Sequence, residues 1–223
     1  MTDFVHLHVH SDYSLLDGAA SVKSLISKAK ALGMKHLALT DHGNMFGALK
    51  FYKECKAAEI NPIIGSEFYM TSGSRFDKKG SETGNAYHHL VLLATNEQGY
   101  RNLMKLSSLS YTEGFYYKPR IDEELLVRYH EGLIGLSACL GGEIPSLLLE
   151  GKAEEALSRA RHLRDILGDD NFYLELQDHG LPEQKKVNPL LIELSKRTGI
   201  PLVATNDIHY LDKEDSVAQD ILL

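Results

Sequence analysis

Apolar runs of five to eight residues, rich in Val, Ile and Leu, recur along the chain. They are separated by longer stretches in which apolar positions return every three or four residues. The runs predict strands over 4–9 (FVHLHV), 36–40 (HLALT), 62–69 (PIIGSEFY), 89–94 (HLVLLA), 132–137 (GLIGLS), 171–176 (NFYLEL) and 201–205 (PLVAT). The longer stretches predict helices over 21–32, 45–58, 97–110, 122–129, 152–167 and 183–197, the first opened by Ser21 as N-cap and closed by Gly33. Such alternation is the pattern of an α/β protein built from β/α units around a mainly parallel sheet or barrel.

Two segments break the rhythm. Residues 71–87 (TSGSRFDKKGSETGNAY) are polar and glycine-rich without a period, which predicts a surface loop. Residues 113–121 (EGFYYKPRI) combine three aromatics with Lys118 and Arg120; either they stack bases and touch phosphates, or the tyrosines pack the loop onto the barrel. Residues 212–223 (DKEDSVAQDILL) form an amphipathic pattern that stops on apolar residues without a cap, as a helix cut short would.

At 223 residues, 43% of them hydrophobic, the chain can bury one large core. No stretch approaches the roughly 18 consecutive apolar residues of a membrane span, and the N-terminus lacks the pattern of a secretory signal, so a cytoplasmic location is expected. Two distant cysteines, Cys55 and Cys139, exclude a disulfide framework and a zinc ribbon. The net charge of -7 argues against a stand-alone nucleic-acid-binding module. It leaves room for a phosphate substrate if bound cations supply the positive charge.

Histidine, at eleven copies, is the residue that changes the picture. In HLHVHSDYSLLDG, His6, His8 and His10 alternate, so on a strand they share one face, with Asp17 on the following loop. LALTDHGNMFGA runs an apolar strand into Asp41 and His42, where Asp41 has the role of orienting His42 available. Glu67 ends the buried-looking run PIIGSEF, a costly place for a carboxylate without a partner or a metal. His88 and His89 begin a strand instead of ending one. Either they face away from the others, or this strand runs antiparallel to the one carrying Glu67, with 71–87 closing the hairpin. Cys139 follows GLIGLSA, a position open to a small buried hydrophobe or a thiolate ligand. PLVATNDIHYL ends a strand in Asn206, Asp207 and His209, an Asp-x-His spacing that aims both side chains to one side. Imidazoles, carboxylates and one thiolate delivered to one rim suit zinc, manganese or iron better than all-oxygen metals. They are too many for one ion and suit a cluster that clamps phosphate oxygens and activates water.

Together, HLHVHSDYSLLDGA, LTDHGNMFGALKFY, IIGSEFY, HHLVLLATN, GLIGLSACLGGEI and VATNDIHYL resemble, over essentially the whole chain, the polymerase and histidinol phosphatase (PHP) domain that opens the bacterial replicative DNA polymerase III alpha subunit. The resemblance implies a distorted seven-stranded (β/α) barrel over residues 1–211, with 212–223 starting the connection to a downstream polymerase region. It implies metal ligands at His8, His10, Asp17, His42, Glu67, His89, Cys139, Asp207 and His209, holding two or three divalent ions, Zn or Mn first and Fe next. Some relatives have lost ligands to arginine, phenylalanine or glycine; here every position holds a competent ligand. That pattern resembles the versions associated with 3′-5′ exonuclease proofreading, with His42, Asp207 and His209 as catalytic residues.

Implied partners are a DNA 3′ end reached through the full-length polymerase, downstream polymerase domains, a proofreading exonuclease subunit and the sliding-clamp complex, with no membrane. The alternative is a non-catalytic, metal-stabilised scaffold that docks a separate exonuclease or other polymerase domains; a stand-alone small-molecule phosphatase is a third reading. His6 matches no ligand position and takes a supporting or packing role. His179, in LELQDHG, contacts substrate phosphate or is an ordinary loop residue, and Tyr13 lines the mouth of the site or packs.

Overall fold

The computed structural model describes residues 4–78 and 87–222. Of the predicted 71–87 loop, 79–86 lie outside the described residues. The strands are β1 (His36–Leu39), β2 (Asn61–Met70), β3 (His88–Ala94), β4 (Arg120–Ile121), β5 (Leu133–Leu136), β6 (Phe172–Leu176) and β7 (Leu202–Ala204). The helices are α1 (Val22–Ala31), α2 (Ala48–Ala57), α3 (Glu97–Thr112), α4 (Glu123–Tyr129), α5 (Glu143–Leu149), α6 (Ala153–Leu167), α7 (Pro182–Thr198) and α8 (Ser216–Leu222). Strand order is β1-β2-β3-β5-β6-β7, with β4 on the end of β2. This curled seven-stranded sheet wrapped by helices is the expected distorted barrel.

The ten-residue β2 is the hub. Its first half pairs in parallel with β1 and its second half antiparallel with β3, in the register Tyr69↔His89. The antiparallel alternative for His88 and His89 is therefore the one realised. One reversed strand brings the start of β3 beside the end of β2, at the rim where the parallel strands also end.

The predicted first strand, 4–9, is a correction. The segment is extended but makes only one isolated bridge, Val9 to Ile208. It accepts from the Ala38 and Thr40 amides through the His6 and Val9 carbonyls, and exchanges bonds with Ile208 through His8 O and His10 N. It thus spans the gap between β1 and the chain beyond β7. The uneven spacing of His6 and Val9 along β1 explains why no regular ladder forms. The seventh strand is instead the two-residue β4, too short for any hydrophobic period to reveal.

The six predicted helices are all present within a few residues. Ser21 Oγ accepts from Ser24 N at the start of α1, and Gly33 takes φ 75° beyond its end. α5 is additional; its Pro145 sits in the first turn, where a missing N–H costs nothing.

Alternation along the strands divides the core. Leu37 and Leu39 pack outward against α1 and α2, and Leu90 and Leu92 outward against the larger helical layer. Ala38, Val91, Leu93 and Leu136 pack on one another inside the curl. This small apolar plug is the floor of the barrel. Among the described residues no helix is long and apolar enough to cross a membrane.

Candidate metal centre

β1–β2 pairing continues past Leu39, with Gly43 N donating to Glu67 O at 2.8 Å and a bridge joining His42 to Glu67. Gly43 makes the turn at φ 61°, where a Cβ would lie 2.8 Å from Pro119 Cγ and 3.0 Å from the Tyr69 ring. His89 likewise extends its strand by bonding Gly141 O at 2.9 Å, which sets it beside Cys139. The Val9–Ile208 bridge does the same for His8, His10 and Asp207. The strand ends thus deliver their polar residues to one rim.

All nine sequence-derived positions meet there. His8 Nε2 lies 3.2 Å from Asp207 Oδ1 and 3.4 Å from Glu67 Oε1, and His10 Nε2 lies 3.2 Å from the same Asp207 oxygen. His42 reaches Asp17 Oδ2 at 2.8 Å and Glu67 Oε2 at 2.5 Å. His89 Nδ1 lies 2.9 Å from Glu67 Oε1 and 3.5 Å from Cys139 Sγ. His209 stacks on His10 at 4.2 Å between ring centres, with Nε2 3.7 Å from Asp17 Oδ2.

The proton positions are set from behind. Ser14 Oγ donates to Asp41 Oδ1, so His10 Nδ1–H must donate to Ser14 Oγ, leaving the Nε2 lone pair inward. His209 Nδ1 donates to Asp207 O at 3.0 Å, which turns its Nε2 inward, and His8 Nδ1 donates to Glu175 Oε1 at 2.7 Å, so its Nε2 is the nitrogen a cation would take by displacing a proton. Asp41 does not orient the His42 ring, contrary to the sequence-based expectation. Its carboxylate accepts from Ser11 N, Ser11 Oγ and Ser14 Oγ, and so it acts on His10 through Ser14.

Whether these residues fit metal ions is tested by polar atoms that have no hydrogen-bond partner. His8 Nε2, His10 Nε2, Asp17 Oδ1, His42 Nδ1, Glu67 Oε2 and Asp207 Oδ1 are all buried and unbonded. Even the 2.5 Å approach of His42 to Glu67 lacks hydrogen-bond geometry. Four further unbonded atoms, on His6, His88, Glu175 and Gln219, lie outside the nine positions. Buried polar groups are nearly always satisfied, so six such atoms on the nine positions that gather at this rim fit a site whose partner is a cation. Three groups, His8–His10–Asp207, His10–His42–His209 and His42–Glu67–His89, each hold ligand atoms within 4.8 Å of one another.

Electrostatics agree. Burial alone would lower the His8 and His42 pKa values, but the surrounding carboxylates outweigh it, holding His8 well above its ordinary value and His42 up at about 10. Burial and the charge of His42 push His10 down to about 3. For Glu67 and Asp207 burial works upward, yet the histidines hold both below the usual carboxylate range. Burial and the same two carboxylates raise the Cys139 thiol.

The remaining candidates lie off the cluster. Half-buried His6 packs edge-on against Phe4 at 4.8 Å. His88 turns to the opposite side of β3 from His89, toward Glu143. Tyr13 packs on the start of α2, with Lys50 Nζ 5.6 Å from its ring centre. Both ring nitrogens of His179 are taken, by Gln184 and by Asn206 O. Sequence reasoning missed Glu175, which is 2% exposed in the middle of β6. Its signal was the one used for Glu67, a carboxylate inside an apolar run.

The sequence profile described as "PHP domain" matches residues 6–179. The chain is 62% identical over 220 residues to the DNA polymerase III subunit alpha of Treponema pallidum and 56% identical over 220 residues to that of Borreliella burgdorferi, in each case over 99% of this chain and 19% of the relative. It therefore spans about a fifth of the length of these curated relatives. In fold it is similar to a crystal structure from Bifidobacterium adolescentis assigned as a metal-dependent phosphoesterase, with a TM-score of 0.55 at 13% identity, covering 98% of this chain and 95% of that one.

Proposed function

The chain belongs to the PHP domain family, and from that premise we propose that it is the PHP portion of a bacterial replicative polymerase alpha subunit whose metal centre hydrolyses the terminal phosphodiester of a DNA 3′ end. The observation that carries this reading is the convergence of six unbonded, buried ligand atoms above the apolar floor. The polymerase relatives support a DNA substrate, and the cytoplasmic setting and the 3′-5′ direction are parts of the same proposal.

His8, His10, Asp17, His42, Glu67, His89, Cys139, Asp207 and His209 would hold two or three ions, zinc or manganese before iron because the donors are mixed nitrogen, oxygen and sulfur. When bound, such ions supply Lewis-acid activation of water and neutralise charge developing on phosphoryl oxygens. The chain's own residues do the positioning. His8, His10 and Glu67 are sealed at the bottom of the site. Asp17, His42, His89 and His209 keep 15–22% side-chain exposure and form the mouth. The exposed side, with His42 and His209, is where a phosphate would enter, while Asp207 ties it to the buried pair. The Nδ1–H of His209 is fixed on Asp207 O, so its Nε2 is the atom presented to the reacting phosphate or an ion beside it.

The experiment is hydrolysis of 3′-labelled single-stranded DNA by the full-length protein, with and without chelator, alongside Asp207→Asn. Chelator and the substitution should each abolish release of the terminal nucleotide. If metals bind and raise the melting temperature but no nucleotide is released, the scaffold reading replaces the catalytic one.

A further inference from the structure

Asp207 carries the carboxylate that joins His8 to His10, yet its backbone sits at φ 45°. Residues with a Cβ are uncommon at positive φ, Asp less so than most, and here the neighbouring backbone is held on both sides. On its C-terminal side the cause is visible: Ile208 N donates to His8 O and His10 N donates to Ile208 O at 2.7 Å. On its N-terminal side the next carbonyl, Asn206 O, is held by a side chain from another loop, His179, whose Nε2 lies 2.8 Å away.

The chemistry of that contact is determined by its partners. The His179 backbone N–H donates to Gln184 Oε1 at 2.7 Å, so the Gln184 amide nitrogen is the atom facing His179 Nδ1, at 3.0 Å. That nitrogen donates, Nδ1 accepts, and the ring proton resides on Nε2, aimed at Asn206 O. Gln184 is itself 3% exposed near the start of α7, and Asn188 Nδ2 holds Gln177 O at 2.9 Å. The β6–α7 loop is thus clamped to α7 and presents one fixed donor to the chain beyond β7.

We propose that His179 is a positioning residue: by fixing Asn206 O it holds Asp207 in the conformation that places its carboxylate between His8 and His10. The inference rests on the reading of this site as a metal centre. His179 touches neither a ligand side chain nor the mouth, so its effect falls on the ion bound by His8, His10 and Asp207 and leaves the His42–Glu67–His89 group alone.

The test is Mn²⁺ titration of the chelator-stripped full-length protein, with free ion followed by electron paramagnetic resonance, for the wild type, His179→Ala, His179→Gln and His179→Asn. Glutamine carries an N–H donor at the same bond distance from Cβ as imidazole Nε2; asparagine carries it one bond short. His179→Ala should weaken one class of sites about tenfold, with the other classes and the metal-free melting temperature unchanged to within about 2 °C. His179→Gln should restore that class and His179→Asn should not. Superimposable isotherms, equal weakening of every class, or an asparagine variant as good as the glutamine variant would overturn the proposal. A wild-type protein that takes up no Mn²⁺ would overturn the metal-centre reading beneath it.

Discussion

Glu175 Oε1 lies 2.7 Å from His8 Nδ1, on the far side of the ring from the metal centre, and it also accepts from Gln177 Nε2 at 2.9 Å and from Thr205 Oγ1. One carboxylate from β6 therefore sets the orientation of a histidine 167 positions earlier and fastens it to the strand exits on either side. Carboxylate–imidazole pairs of this kind fix the tautomer and raise the basicity of the inward nitrogen. Glu175→Gln preserves shape but removes the charge, and should weaken metal uptake about 10- to 100-fold, read by competition with a chromophoric chelator. Uptake equal to wild type would show that His8 needs no anionic partner.

Metal loading should release protons. In the metal-free protein His42, at about 10, and His8, held well above its ordinary value, carry protons at neutral pH that a cation must displace. Affinity for Mn²⁺ should rise with pH between about 6 and 9, and heats of binding should vary with the ionisation enthalpy of the buffer. Buffer-independent heats would count against the charged state of the empty site.

Stability of the metal-free form should depend on pH with two opposite slopes. His42 has a folded pKa raised from 6.5 to about 10, so its stabilisation is complete below 6.5 and lost as pH rises through 10. Glu67 and Asp207 have lowered folded pKa values, so theirs is present above the ordinary carboxylate range and lost as pH falls below it. His10, lowered to about 3, makes the unfolded chain bind the extra proton as pH falls below 6.5, so the melting temperature after chelation should be highest near pH 6.5 and fall on both sides. A monotonic profile would contradict the pairing.

Ser14→Ala removes the acceptor of His10 Nδ1–H and the oxygen to which His42 N donates at 3.1 Å. Both donors are left without that partner, at a cost of about 1–3 kcal/mol each when fully buried. Urea denaturation should show a loss of up to about 2–6 kcal/mol for the two together, with weaker metal uptake through His10. A loss confined to stability would limit Ser14 to packing the loop.

Away from the centre, Asp122 accepts from Leu125 N as the cap of α4 and binds the Arg75 backbone and guanidinium, with both side chains under 8% exposed. Asp122→Ala should cost about 3–5 kcal/mol for the broken buried pair. Asp122→Asn, which keeps the cap, should cost less. Equal losses would assign the whole effect to the ion pair with Arg75, and an asparagine variant as stable as the wild type would assign it to the helix cap.

Most of the proposed ligand positions were legible because they stand where an apolar strand gives out, and such a run rarely ends in histidine for packing alone; His89, which begins a strand, and the full set of nine followed from the family resemblance. What was not legible depended on pairing. Glu175 lies in the middle of NFYLEL, and only the sheet order shows that its inner face meets His8. Asp41 looked like the neighbour of His42, but adjacent side chains on an extended chain point to opposite sides, and Asp41 is bound by Ser11 and Ser14. The extended run 4–9 has the composition of a strand, yet it is held by contacts at uneven intervals on two different neighbours, which no periodicity in one sequence encodes. β4 is two residues long, too short for a period to be counted, and α5 carries Pro145, which reads as a helix breaker unless it falls in the first turn.

The bridge from Val9 to Ile208 also has a meaning in time. His8 and His10 are synthesised about 200 residues before Asp207 and His209, an interval of about 10–40 s at the usual rates of translation. During it the first histidines have no carboxylate from the last strand exit and the two edges of the sheet are unjoined. The centre therefore comes into being only when the newest residues reach back to the oldest, so a bound ion would report that the barrel has been read to its end.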